Sequence, residues 1–120
     1  MSTKNDNNQL DTKKKQLDVV MERAVEREFQ SLPESVRDQF SNSIHAAANG
    51  CMPFLRIKHL QLKKGLIAIE LKINGSPGYR CVYTTKIEGK IHVVYAREKT
   101  ANGTDNQLIE TVTKRLKKLK

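Results

Sequence analysis

Between residues 66 and 100 apolar and polar positions change places every second residue, with two interruptions by turn formers. In Leu66–Ile73 the side chains of Ile67, Ile69, Leu71 and Ile73 fall on one side and those of Ala68, Glu70 and Lys72 on the other, the period of a half-buried strand. Asn74-Gly75-Ser76-Pro77-Gly78 is dense in turn formers, and Tyr79 to Thr85 follows as a strand rich in aromatic and β-branched residues. A second turn at Glu88-Gly89 leads into Ile91 to Ala96. The pattern predicts a three-stranded antiparallel meander in chain order.

Upstream the spacing becomes helical. Val25, Phe29 and Leu32 recur on one face of Glu22–Leu32, and Leu32-Pro33 ends that helix because proline disfavours a helical residue before it. Pro33 can open a second helix with the stripe Val36, Phe40, Ile44 and Ala47, closed at Asn49-Gly50. The resulting hairpin is the natural cover for the Ile67, Ile69, Leu71 face. Leu17, Val19 and Met21 alternate as a short strand able to join the edge of the meander, whereas Phe54 to Leu62 reads as either a short strand or an extended connection. Lys63-Lys64-Gly65 is a basic turn. At the end, Thr104-Asp105-Asn106-Gln107 has capping-box spacing, and Leu108, Val112, Leu116 and Leu119 form a helical stripe. Residues 1–14 read as a flexible polar leader and 15–120 as a single α+β domain of β-α-α-β-β-β-α order, with the helical hairpin on one sheet face and a basic helix at the end.

The turns also set a register. A first hairpin symmetric about Ser76 places Lys72 opposite Arg80, and a two-residue turn at Glu88-Gly89 places Arg80 opposite Arg97. Lys72, Arg80 and Arg97, extended by Lys99, then form one transverse row of outward-facing cations. Like charges directly opposite destabilise a sheet, so the row calls for an anionic ligand; the alternative is a solvated face with scattered basic residues.

Charge sharpens this picture. The chain has 120 residues and a formal net charge of +9. Residues 51–120 carry 15 Lys and Arg against 5 Asp and Glu, while residues 22–50 carry 3 against 5. A cationic sheet and tail point to a nucleic-acid backbone as partner, with Lys58, Lys63, Lys64 and Lys72 as candidate RNA contacts beside the row. For the lysines of the last helix, including Lys114 and Lys117, interaction with the helix dipole is a sufficient alternative. No segment approaches the ~20 apolar residues of a membrane span and Met1 to Asn8 lacks a signal-peptide core, so a cytoplasmic protein without membrane partners is expected. Cys51 and Cys81 have no metal-binding spacing; reduced thiols, no metal and no cofactor are expected, with Cys81 a buried small hydrophobe. His92, placed with Val94 and Ala96 on the face opposite Arg97, reads as structural. His45 and His59 have no neighbours that suggest chemistry.

The order of elements resembles the RelE/ParE superfamily of bacterial toxins. Glu22 to Leu32-Pro33-Glu34 resembles that family's first helix, Leu66 to Lys72 its strand ending Glu-Leu-Arg, and Gly78-Tyr79-Arg80-Cys81-Val82-Tyr83 its Tyr-Arg strand. Arg97-Glu98-Lys99-Thr100 is similar to the Lys-Lys-Thr run of the HigB-like, phage-associated branch, with Glu98 where a second lysine is usual and Lys72 where the family has Arg. The resemblance spans about residues 16–119. It implies the toxin of a type II toxin–antitoxin system, acting as a ribosome-dependent messenger-RNA endonuclease and neutralised by a cognate antitoxin of helix-turn-helix type. By the same resemblance Arg80 stabilises the phosphate in the transition state, and Arg97 and Lys99 hold the scissile phosphate and take part in proton transfer. Crowding by two arginines makes Lys99 a candidate proton acceptor, since neighbouring like charges favour the neutral amine. Two other functions fit the same fold: a toxin directed at another target such as gyrase, and a non-catalytic nucleic-acid-binding regulator.

Overall fold

The computed structural model describes residues 16–62, 65–99 and 105–119. The polar leader, Lys63, Lys64, Thr100 and the Thr104 end of the capping box lie outside the described residues. The chain builds β1 (Asp18–Met21), α1 (Arg23–Gln30), α2 (Glu34–Ala48), β2 (Arg56–Gln61), β3 (Ile67–Ile73), β4 (Gly78–Thr84), β5 (Lys90–Lys99) and α3 (Asp105–Lys118). These are the α+β elements expected, and the segment left open between strand and connection is a strand, which makes five. The sheet order is β1-β5-β4-β3-β2, antiparallel except for β1, which pairs parallel to β5. Among the described residues no helix is long and apolar enough to cross a membrane.

Local chemistry accounts for the helix limits. Ser31 N–H still donates to Arg27 O at 3.1 Å, and Leu32-Pro33 then breaks the ladder. α2 starts immediately after Pro33, whose carbonyl accepts from Arg37 N–H at 2.9 Å. It ends where Gly50 takes φ +80°, so that Gly50 N–H reaches Ala47 O at 3.0 Å and Cys51 N–H reaches Ala46 O at 2.8 Å. That pair of bonds satisfies carbonyls which the helix itself leaves open, and only the left-handed residue allows it. The buried stripe of α2 is Val36, Phe40, Ile44 and Ala48, so Ala48 rather than Ala47 takes its last place, because the four-residue step carries the stripe on from Ile44. Ser43, fully buried on the same helix, accepts from Leu55 N–H at 3.2 Å and ties the following connection to α2.

Two apolar layers sandwich the sheet. On one face Val25, Phe29, Phe40 and Ile44 of the hairpin meet Leu71, Cys81, Tyr83, Ile91, Val93 and Ala96. On the other, Leu108, Val112, Leu116 and Leu119 meet Leu60, Ala68, Val82, Val94 and Tyr95. Cys81 is fully buried as expected, and burial followed by the nearby Glu28 charge pushes its thiol far up, keeping it protonated.

The register of the cationic row holds, by a different route. Lys72 stands opposite Arg80 and Arg80 opposite Arg97. At the turn, however, Thr84 is opposite His92, one residue out of step with a two-residue turn, and Gly89 takes φ +81° in a longer connection. A β-bulge restores the step: Tyr83 pairs with Val93 and Val82 with Tyr95, leaving Val94 as the extra residue. The bulge also reverses the faces of β5 beyond it. His92, expected opposite Arg97, shares Arg97's face, whereas Ala96 packs with Ile91 and Val93 against the hairpin. His92 and Arg97 remain five residues apart, roughly 16 Å along a strand, so they do not form one site.

Candidate nucleic-acid interface

The sheet places a fourth cation in the row, because Arg56 of β2 stands opposite Lys72. Arg56, Lys72, Arg80 and Arg97 thus cross four adjacent strands on the face that α3 covers only at the far, apolar end. Lys99, opposite Gly78, extends the row along β5 and is exposed. Lys58 is exposed in the next row, opposite Glu70. Lys72 is half-buried. Lys63 and Lys64 lie outside the described residues.

Two carboxylates decide how this row is balanced, and neither emerges from composition. Arg80, expected to face outward into solvent, is 7% exposed, with Nε 2.9 Å from Oε2 of Glu70, itself 2% exposed. The contact is an ion pair by distance rather than an aligned hydrogen bond, since neither atom makes a well-directed one. The cause of the burial is positional: Arg80 and Glu70 occupy diagonal sites on the central strands, within reach of a long side chain. An internal anion therefore meets the central cation.

Arg97 is balanced from outside the sheet. β1 pairs with β5 only as far as Val93, leaving the backbone edge beyond it open. Glu28 of α1 fills that edge: Oε1 accepts from Ala96 N–H at 3.2 Å and from Arg115 at 2.9 Å, and Oε2 accepts from Arg97 Nε at 2.8 Å and from Arg115 Nη2 at 2.9 Å. Arg115 of α3 also donates to Val94 O at 2.9 Å. One carboxylate thus joins α1, β5 and α3 while satisfying an edge that would otherwise invite another strand. Burial alone would raise the Glu28 carboxyl, but the donors from Arg115, Arg97 and Ala96 outweigh it and hold the group below the usual carboxylate range.

Glu28 takes Arg97 through Nε, and the Arg97 side chain stays 39% exposed. Its carbon lies 5.0 Å above the Tyr95 ring, a second restraint on its direction. Burial pushes the Tyr95 hydroxyl up, against the pull of Arg97 and Arg80, so Tyr95 is a neutral platform. The result is a positioned, partly exposed guanidinium at the end of a cationic row. Beside it an open groove of about 410 Å³ lies between the α1–α2 turn and the sheet end.

The sequence pattern of the family described as phage derived protein Gp49-like matches residues 27–117. The chain belongs to this family. Gp49-like proteins are RelE/ParE-like toxins of toxin–antitoxin systems, which accounts for the strand and helix order found here and implies a cognate antitoxin. No curated protein and no solved structure matches the chain. The matched span takes in Glu28, Glu70 and the whole cationic row. Glu70 was within reach of sequence reasoning, since the Lys72–Arg80 register already puts it diagonal to Arg80. Glu28 had no such signal: 69 residues separate it from Arg97, and only packing joins them.

Proposed function

We propose that this Gp49-like protein is a ribosome-dependent messenger-RNA endonuclease of the HigB-like branch, inhibiting translation and held in check by a helix-turn-helix antitoxin. The observation that carries the reading is the partly exposed guanidinium of Arg97, held through Nε, at the end of the Arg56–Lys72–Arg80–Arg97 row. RNA cleavage by the 2′-hydroxyl needs charge stabilisation at phosphorus and a base for the hydroxyl proton. Arg97 binds the non-bridging oxygens of the scissile phosphate bidentately, a geometry suited to a guanidinium. Lys99, two residues along the same face, accepts the 2′-hydroxyl proton as the 2′-oxygen bonds to phosphorus, and the 5′-oxygen leaves as its bond to phosphorus breaks, taking a proton from water. Arg80 stabilises the phosphate from the centre of the row, and Lys58 and Lys72, with Lys63 and Lys64, hold the flanking backbone. No step in this scheme calls on a metal or a cofactor.

The partial neutralisation of Arg80 and Arg97 by Glu70 and Glu28 favours a second reading, a toxin-fold protein that acts on another target, such as gyrase, or regulates by binding. Mapping messenger-RNA cleavage in cells by primer extension separates the two. Arg97→Ala is expected to lower cleavage by about 10²- to 10³-fold, the cost of one transition-state donor, with only a small fall in melting temperature, because Arg115 and Ala96 N–H still hold Glu28. Growth arrest without any new RNA ends, retained by Arg97→Ala, would support the second reading and defeat the first.

A further inference from the structure

The groove beside Arg97 is chemically unlike the phosphate row. Tyr79 and Glu98 stand directly opposite each other on β4 and β5, so their side chains share the hairpin face, opposite to that of the row, with Cβ atoms about 4.5–5.5 Å apart. Arg97, at the β5 edge, is the one residue of the row that also lines the groove. With Leu32, Pro33 and Ala96 they line the groove, and Arg97 contributes to its wall. Tyr79 is half-buried against the hairpin core, whereas Glu98 is exposed. Glu28, the other carboxylate there, is already engaged by Arg97, Arg115 and Ala96 N–H. Glu98 is therefore the acceptor that a ligand meets. At about 410 Å³ the groove lies within the ~300–1,000 Å³ range of small-molecule sites.

A carboxylate repels a phosphate, so the same RNA strand cannot place its backbone in this groove. It can place a base there. We propose that the groove takes a guanine next to the phosphate bound at Arg97, with Tyr79 and Pro33 as the apolar platform and the two oxygens of Glu98 accepting from the base; this rests on the RNA-cleavage reading. Guanine is selected by its donor pattern. Its N1–H and N2–H lie side by side and match a carboxylate bidentately. Adenine, cytosine and uracil each set an acceptor beside the single donor that Glu98 would meet, and that acceptor is repelled. Single-stranded RNA is commonly read in this way, by stacking together with hydrogen bonds to the Watson–Crick edge. The proposal also gives a role to Glu98, the acidic residue within an otherwise basic run.

The test uses short 2′-O-methyl RNA oligonucleotides, which lack the attacking hydroxyl, so that fluorescence anisotropy reads binding without cleavage. Four uridine oligonucleotides differ at one central base. The guanine oligonucleotide is expected to bind about tenfold more tightly than the other three, the discrimination of one good bidentate pair. Glu98→Gln should remove that preference while leaving affinity for the all-uridine strand unchanged or slightly higher. An equal gain for all four oligonucleotides would make Glu98 a repulsive surface charge and overturn the proposal, as would no preference or no binding in the wild-type protein. Guanine preference in a protein that cuts no RNA in cells would sustain the groove and remove the nuclease reading. Cleavage in cells without guanine preference would do the reverse.

Discussion

Glu70 is a carboxylate at 2% exposure beside an arginine at 7%, in the middle of a sheet whose neighbouring positions are Val82 and Ala68. Such a pair gains little over apolar packing, but removing one partner leaves a buried charge without compensation, at about 3–5 kcal/mol. Arg80→Ala is thus expected to lower stability by that amount, and loss of activity in this variant would not by itself identify a catalytic group. Glu70→Leu combined with Arg80→Met removes both charges at similar volume and should recover most of the stability in chemical denaturation. If RNA cleavage stays absent in the refolded double variant, Arg80 acts on the phosphate; if it returns, Arg80 serves the fold. The outward placement expected from alternation fails here because Arg80 shares the face that α3 packs on and turns toward Glu70 on the neighbouring strand.

At the scale of elements, β5 and α3 owe their placement to contacts that cross the sheet. The bulge at Val94 turns both Val94 and Tyr95 toward α3, giving that helix an apolar seat and bringing Tyr95 under Arg97. The C-terminal carbonyls of α3 are then met by Lys86, whose Nζ donates to Leu116 O at 3.0 Å and to Leu119 O at 3.3 Å. Here a cation from the β4–β5 connection complements the helix dipole, in addition to the lysines of the helix itself. Lys86→Met should therefore speed amide hydrogen exchange in the last turn of α3, corresponding to about 0.3–1 kcal/mol, and leave the β5 amides unchanged. Equal exchange in both proteins would show that water serves these carbonyls as well as Lys86 does.

For the whole molecule, the buried titratable groups define an acid limit. Burial lowers His92 from its ordinary 6.5, with Glu22 opposing and Lys90 adding to the shift. The unfolded chain thus takes up this proton at a higher pH than the folded one, and stability falls as pH drops below about 6.5. Glu28, held below its ordinary 4.5, contributes stability that is present above that value and lost as pH falls through its lower folded value. Melting temperature should stay level above neutrality and then decline in two stages. His92→Gln should flatten the first and Glu28→Gln the second. A single decline insensitive to both substitutions would assign the acid limit to other groups.

Strand alternation, helical spacing, the Leu32-Pro33 break and the Asn49-Gly50 end are local signals, which is why the elements and the Lys72–Arg80–Arg97 row were legible along the chain. Those signals depend on dihedral preferences and on side-chain period, both set within a few residues. The route to the row was less legible. A longer turn and the Val94 bulge shift the ladder in opposite senses and cancel, so the pairing agreed while the face of His92 did not. What the tertiary structure alone decided is where charge is buried and what faces it. Arg80 lies inside because it shares the face of α3 and turns toward Glu70, Glu28 reaches Arg97 because α1 packs across the edge that β1 leaves open, and Tyr79 meets Glu98 beneath the α1–α2 turn. Each depends on desolvation and on groups far apart in sequence, and neither quantity is encoded in a local pattern.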